Sequence, residues 1–482
     1  MNTLMHKPKF LLALTALAVV GVVPLARAQT AEEFRQLKSL MDDMKKTIDA
    51  QNARIATLEK TAAAAAERSP SMVTIVKISN GGGEGQQSPV ANRAAMNDQQ
   101  EAASRPKDYT LDTKYNGFIP VPNTPVLFKL NAKPHVDAIQ DNRNAGNQNR
   151  FVPAVFPLEG DPAYGGGSQF RMNANATQLR ADVRAPSMEG NLRFYYQNDF
   201  FGSGSDTGDM KYRIQHIYGQ IYGFKAGFTY GVWEDPDSWP DTVDYEGPAG
   251  VIFSRRPVAQ YTVSHDNNWN TTFGMEKADI YVDMNSGPNP GGHQLTRLPD
   301  FGLNTRYEQA GFGHLQFSGM LRELSGQDSK GKVDHVLGWG VNASAGIELG
   351  KSTSMQFLGV YGEGVGGMGN DTSFLNSDAT YNKVGELEAL PYWSIMGAIT
   401  QKWDDQWRST FSYSYVQLDN STGQSGNFYH LSHYASANIV YQLRKRLSVG
   451  LEGLWGRQDT KNMRTSGDHY RFQLGMVYSL FD

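Results

Sequence analysis

From about Val126 to Phe481 the chain alternates apolar and polar residues in short stretches, and this constrains its fold more than any other feature. A strand of period two has one apolar face and one polar face. A soluble sandwich would press the apolar faces together, whereas an outer-membrane barrel turns them to lipid and keeps the polar faces around a wet interior. The first stretch sets Val126, Phe128, Leu130, Ala132, Pro134 and Val136 against Lys129, Asn131, Lys133, His135 and Asp137. The last sets Tyr470, Phe472, Leu474, Met476, Tyr478 and Leu480 against Arg471, Gln473 and Ser479. Proline is costly in a central strand, so alternation alone leaves the local geometry at Pro134 open. An aromatic residue usually ends a terminal strand of this kind, but here Phe481 is followed by Asp482 on the apolar phase.

The other end of the chain favours the membrane reading. Met1 to Ala28 has the parts of a secretory signal: Lys7 and Lys9, an apolar run from Phe10 to Leu25, and the small-x-small site Ala26-Arg27-Ala28. A transmembrane anchor is the alternative, but the run is short and a cleavage site follows at once. No later stretch is long and apolar enough to cross a bilayer as a helix. Hydrophobic residues make up only 39%, beside 50 Gly, 23 Tyr and 23 Phe, a composition that suits a barrel and not a helical membrane protein. Cysteine is absent, which removes disulfides, thiolate metal sites and thiolate nucleophiles. A net charge of −4 decides nothing about partners.

Residues 29–60 read as a periplasmic coiled coil. Phe34, Met41, Ile48 and Ile55 take one core position, and Leu37, Met44, Gln51 and Leu58 the other. Thr30 and Glu33 form a capping box at its start, and Gln51 is placed to set register. An amphipathic helix packed on a domain is the alternative. Residues 61–111, with an alanine run and Gly81-Gly82-Gly83-Glu84-Gly85, lack the apolar content to fold and read as a linker. Residues 112–482 read as an all-β transmembrane barrel of about sixteen antiparallel strands.

The connections carry the topology. Pro186–Glu189, Gly223, Ala310–Gly313, Gly350–Ser352, Trp403–Asp405 and Arg444–Arg446 are expected to be short turns. Gln140–Ser168, Phe201–Met210, Glu234–Val251, Asn285–Asp300, Leu324–Asp334, Gly362–Leu390, Asp419–Asn427 and Gln458–Gly467 are expected to be long loops. Short and long in alternation fit periplasmic turns and outer loops. Trp233, Trp269, Trp339, Trp393, Trp403, Trp407 and Trp455 are expected in two interfacial girdles, against a soluble core as the alternative.

Several stretches resemble the DcaP-like outer-membrane porins. They are the heptad segment, Phe128-Lys129-Leu130-Asn131-Ala132, Phe151-Val152-Pro153, and Tyr212 through Gln220. The run from Gly227 through Glu234-Asp235-Pro236-Asp237 to Asp244-Tyr245-Glu246-Gly247-Pro248, then Arg255-Arg256-Pro257, is more specific. The resemblance covers the mature chain, loosely in the outer loops. It implies a sixteen-stranded homotrimer with a periplasmic coiled coil and passive uptake of small, mostly anionic solutes such as dicarboxylates.

Within that expectation the third long loop is the candidate constriction. Its carboxylates Asp235, Asp237, Asp241, Asp244 and Glu246 are stiffened by Pro236 and Pro240. In sixteen-stranded porins such a loop folds inward, and acids on it face bases on the opposite wall. Lys129, Lys133, Arg180, Arg184, Arg193, Lys225 and Arg256 lie in the polar phase of early strands and are the candidate bases. A surface or interface cation is the alternative for each, and a solvated outer loop is the alternative for the acids. Arg213, Gln215 and His216 make their strand polar on both faces, as a subunit interface would require.

No catalytic elbow or zinc helix is present, and Gly326 to Lys332 copies only part of a phosphate loop, with Val333 where Ser or Thr is needed. The reading is therefore a non-enzymatic outer-membrane porin without a cofactor. Its expected partners are outer-membrane lipid, lipopolysaccharide and small anionic solutes, with no nucleic acid. A rival is a structural barrel tethering the envelope to peptidoglycan through its coiled coil. A barrel lipase is the other, and no Ser–His signature supports it.

Overall fold

The computed structural model describes residues 118–124, 126–185, 192–202, 210–373 and 375–480, together with Lys46. The expected signal, coiled coil and linker lie outside the described residues, and so do the tether reading that rests on them and the end at Asp482. Contacts divide the chain into Met1–Glu84 and Gly85–Asp482, and the elements below belong to the second unit.

The architecture is one large antiparallel sheet. Its strands are Leu127–Lys133 with His135–Asp141, Gln169–Asn173 with Gln178–Ala185, Leu192–Asp199, Arg213–Ile221, Phe224–Tyr230, Arg255–Ser264 and Trp269–Glu276. They continue as Asp300–Gln309, Gly313–Asp328, Val333–Glu348, Thr353–Glu363, Pro391–Lys402, Trp407–Leu418, Tyr429–Arg444, Leu447–Thr460 and His469–Tyr478. Each pairs with the next, and His469–Tyr478 pairs back to His135–Asp141 with Met476 opposite Val136. Lateral pairing of this kind satisfies backbone groups without water, which the hydrocarbon of a membrane demands.

Side-chain burial is inverted relative to a soluble protein. On Gly313–Asp328, Phe317 is 60% exposed while Gln316 is 4% exposed. The same inversion runs from Leu130 against Lys133 in the first strand to Phe472 against Arg471 in the last. In water so continuous an apolar outer face would drive aggregation, but against lipid it is the stable arrangement.

Pro134 breaks the first strand. Without an N–H it cannot continue a ladder. Leu127–Lys133 pairs with Gln178–Ala185, and His135–Asp141 pairs with Gln169–Asn173. Thr177 patches the gap by accepting the His135 N–H at 3.1 Å. The double polarity of Arg213, Gln215 and His216 also has a local cause. The ladder to Leu192–Asp199 pairs Gln197 with His216 and then Asn198 with Ile214, leaving Gln215 as an extra residue. A bulge of this kind re-aims side chains, so Gln215 and His216 are both buried. No outward-facing polar row is needed to explain that strand.

Two expectations are corrected. Leu324–Asp334 is not a long loop: the flanking strands extend into a hairpin that turns through residues 329–332. Gly331 supplies the positive φ of 85° and Asp328 Oδ1 accepts the N–H groups of Lys330 and Lys332, so the partial phosphate-loop motif is this turn. Trp233 is not a girdle residue, being 0% exposed inside the sheet. Trp239 is likewise fully buried, and the remaining tryptophans form two outward bands. Trp269 with Tyr307 and Trp407 with Tyr441 lie at the short-turn end, and Trp339 with Tyr361 and Trp393 with Tyr415 at the long-loop end.

Candidate functional site

The loop after Phe224–Tyr230 runs along the polar face of the later strands. A buried loop must find a partner for each backbone polar group. Here the wall provides them: Asn304 Nδ2 donates to Val232 O at 2.7 Å, Asn342 Nδ2 to Trp233 O at 2.9 Å, and Gln316 Nε2 to Glu234 O at 3.1 Å. Gly340 leaves room for Trp233, since a Cβ there would sit 2.7 Å from the indole. Farther on, Gly450 and Gly475 are cross-strand partners and form a slot for Val243, whose methyls would meet their Cβ atoms at 2.6 and 2.7 Å.

The loop's acids are bound to the wall behind them. Arg306 donates to Asp235 at 3.0 Å and to Asp237 at 2.6 Å, while His314 Nε2 lies 2.8 Å from Asp235 and Ser344 donates to it at 2.6 Å. Burial alone would raise the Asp235 pKa, but His314 and Arg306 outweigh it and hold the carboxyl below the usual range. Arg408 Nε donates to Asp241 at 2.6 Å, and Asn438 Nδ2 donates to the Asp241 carbonyl at 2.7 Å. The Asp244 N–H donates to Glu452 at 2.6 Å, with Arg471 4.0 Å from its carboxylate. Burial pushes the Asp244 carboxyl well above the ordinary range.

At its tip the loop reaches the opposite wall. Tyr245 Oη accepts from Gln178 at 2.8 Å, contacts Gln215, and lies 3.3 Å from Asp199, while its ring stacks on Phe201 at 5.1 Å. Glu246 pairs with Arg150 at 3.3 Å. Tyr245→Phe keeps the stack but removes the hydroxyl, at a cost on the order of 1 kcal/mol to tip docking. The expected outcome is added current noise in single-channel recordings at unchanged mean conductance.

Two more loops fill the same side of the interior. Phe151 and Phe156 of the loop after Asp141 pack on Tyr434 and His469. Met368 accepts the Phe253 N–H at 3.0 Å, and Asp371 accepts the Ala154 N–H at 3.0 Å. They meet an apolar inner patch that includes Met320, Leu358, Tyr392, Met396 and Leu454. The enclosed face is therefore polar over the early strands and partly apolar over the later ones, where the loops dock.

The early strands meet the inward loop at Tyr230, against which Trp239 packs at 5.3 Å, and at the tip. Their polar row runs Arg184, Arg193, Gln220, Lys225 and Gln260 across successive strands. Asp182 accepts from Arg184 at 2.8 Å and Arg193 at 2.9 Å. Arg193 sits over Tyr195 at 5.2 Å and Lys225 over Tyr218 at 5.7 Å. Lys129 stands opposite Asp182, Lys133 opposite Gln178, and Arg180 opposite Asn131. From Leu127 through Tyr230 the strands carry Asp137, Asp141, Asp182 and Asp199 as carboxylates.

The structure thus separates what sequence reasoning had opposed. Asp235, Asp237 and Asp241 meet Arg306, His314 and Arg408, which were not singled out although each is in the inward phase of its strand. Lys129, Lys133, Arg180, Arg184, Arg193 and Lys225 share the early wall, and Glu246 pairs with Arg150. Arg256 stands apart from that group. It is fully buried, with Asp300 at 2.9 Å, Glu276 at 3.4 Å and Glu234 at 4.0 Å. Burial, then repulsion from Glu276, pushes the Glu234 pKa up to about 8. The folded protein therefore holds a proton that the unfolded chain releases near pH 4.5, so this group's contribution to stability falls as pH rises toward about 8. Glu234→Gln is expected to flatten that slope in urea unfolding followed at about pH 5 and about pH 8.

Comparison with known proteins adds the family. A family model described as DcaP outer membrane protein matches residues 97–478. No curated protein matches the chain. Among solved structures, the outer membrane channel DcaP of Acinetobacter baumannii aligns with a TM-score of 0.63 at 20% identity, covering 75% of this chain and 99% of that one. An anion-selective porin from Comamonas acidovorans aligns at 0.46 and 10% identity, covering 74% and 100%.

Proposed function

Because the chain belongs to the DcaP outer membrane protein family, we propose that it is a porin that admits small hydrophilic solutes by diffusion and prefers anions. In this reading the ladder that returns to its first strand is a closed barrel of sixteen strands. The barrel assembles as a homotrimer, and its outer bands of Trp and Tyr contact lipid and lipopolysaccharide.

The observation that carries the anion preference is the uneven disposition of charge. The loop carboxylates are matched from behind by Arg306, His314, Arg408 and Arg150, which turns their field toward the wall. The early wall holds Lys129, Lys133, Arg180, Arg184, Arg193 and Lys225 against Asp137, Asp141, Asp182 and Asp199. A narrow polar conduit beside low-dielectric walls focuses such a surplus and concentrates anions in it. Dicarboxylates suit it because two negative ends can engage neighbouring cations of the row.

The test is single-channel recording of the purified protein in a planar bilayer. The expected result is stepwise closure in threes and an anion-selective reversal potential in a salt gradient. A silent bilayer refutes the pore, and a cation-selective potential refutes the charge argument.

A further inference from the structure

Deepening that reading and resting on it, we propose a second anion-binding station at the long-loop end of the same wall, centred on Arg255 with Arg213 and Arg150. It would take the carboxylate of a passing solute before the row of Arg193 and Lys225 does.

Three guanidiniums gather around the tip of the inward loop. Arg150 and Arg213 flank the Phe201 ring at 5.1 and 5.5 Å, the same ring on which Tyr245 stacks. Each has a carboxylate: Arg150 has Glu246 at 3.3 Å, and Arg213 has Asp199. Arg255 lies over Phe253 at 4.8 Å and Tyr230 at 5.8 Å, within electrostatic reach of Asp199 and Tyr245. Its Nη1 is buried and makes no hydrogen bond. Two carboxylates thus serve three guanidiniums, and the surplus positive charge rests on the one with an open donor. A buried donor without a partner costs free energy that an arriving oxyanion would recover. The Phe253 and Tyr230 rings, 6.0 Å apart, line one side of this guanidinium and restrict its motion, which suits a planar carboxylate.

Its position gives it a role. Arg213 and Arg255 open strands that follow long loops, whereas Arg193 and Lys225 adjoin short connections. Asp199 and Arg193 lie on one strand six residues apart, about 20 Å along it. Two stations that far apart can both be occupied, and repulsion between successive anions then speeds release from the lower one.

The test uses the full-length protein in a planar bilayer, with succinate added to either side as a current blocker. The expected result is that Arg255→Gln lowers the succinate on-rate from the long-loop side about fivefold. The on-rate from the other side and the reversal potential in potassium chloride should change little. An unchanged on-rate from the long-loop side overturns the station while leaving the anion porin intact. A wild-type channel without anion selectivity removes the porin reading itself. Arg255→Lys guards against a variant that does not insert. It should keep the on-rate but shorten succinate dwell times about threefold, because a point charge replaces the planar fork. Unchanged dwell times would also overturn the station.

Discussion

Replacing Arg193 and Lys225 together with glutamine is expected to lower the anion-to-cation permeability ratio on the order of fivefold. Both residues lie in the inward row that runs from Arg184 to Gln260, and both ride on tyrosine faces. Glutamine keeps polarity and most of the bulk, so the conduit stays open and only its charge changes. Asp182 retains Arg184 at 2.8 Å, so no carboxylate is stranded by the change. The measurement is reversal potential under a salt gradient, at low and high ionic strength. The effect should be largest at low salt, where screening is weakest. A ratio unchanged at low salt would remove this wall from the selectivity mechanism.

Arg306→Ala is expected to release the inward loop. Arg306 is the shared partner of Asp235 and Asp237, at 3.0 and 2.6 Å, and also reaches Glu308 at 3.3 Å. Removing one partner of a buried pair typically costs about 3–5 kcal/mol, since the other charge is left uncompensated. The strands are held by their own ladder, so the loss falls on loop docking and not on the sheet. Single-channel conductance should rise and become noisy, and added protease should cut near Asp235 in the variant but not in the parent. Quiet recordings at the parental conductance would mean that the amide anchors from Asn304, Gln316 and Asn342 suffice alone. Because the Asp235 pKa is depressed, its contribution is complete above the ordinary carboxylate range and fades only as pH falls below it. The parental loop is therefore expected to stay docked at about pH 5.

Much of the sheet was legible because alternation is a local property. The phase of Leu130 against Lys133, or of Phe472 against Arg471, follows from backbone geometry and needs no knowledge of neighbours. The break at Pro134 follows equally from a missing N–H. Strand ends were less legible: the hairpin through residues 329–332 reads as a polar loop, because strands that project beyond a membrane lose their apolar face. The bulge at Gln215 hid as a strand polar on both sides, since an extra residue shifts phase without leaving a compositional mark.

The site divides along the same line. Alternation alone put Lys129, Lys133, Arg180, Arg184, Arg193 and Lys225 on the inward face, where they lie. It could not distinguish Arg255 from Arg256, and the singled-out Arg256 is locked among Glu234, Glu276 and Asp300 while its neighbour keeps an open donor. A signal for the docking wall was present in the near-continuous apolar run from Tyr392 to Ile399, where both faces need burial. It does not say what covers the inner one. Which cation meets which loop carboxylate depends on contacts spanning from about seventy to more than two hundred residues, such as Asp235 with Arg306 and Asp244 with Arg471. Local chemistry settles the direction in which a side chain points, because two neighbouring peptides suffice for that. The partner it finds there is settled by the tertiary pairing of strands and the docking of loops, which bring residues distant in the chain together.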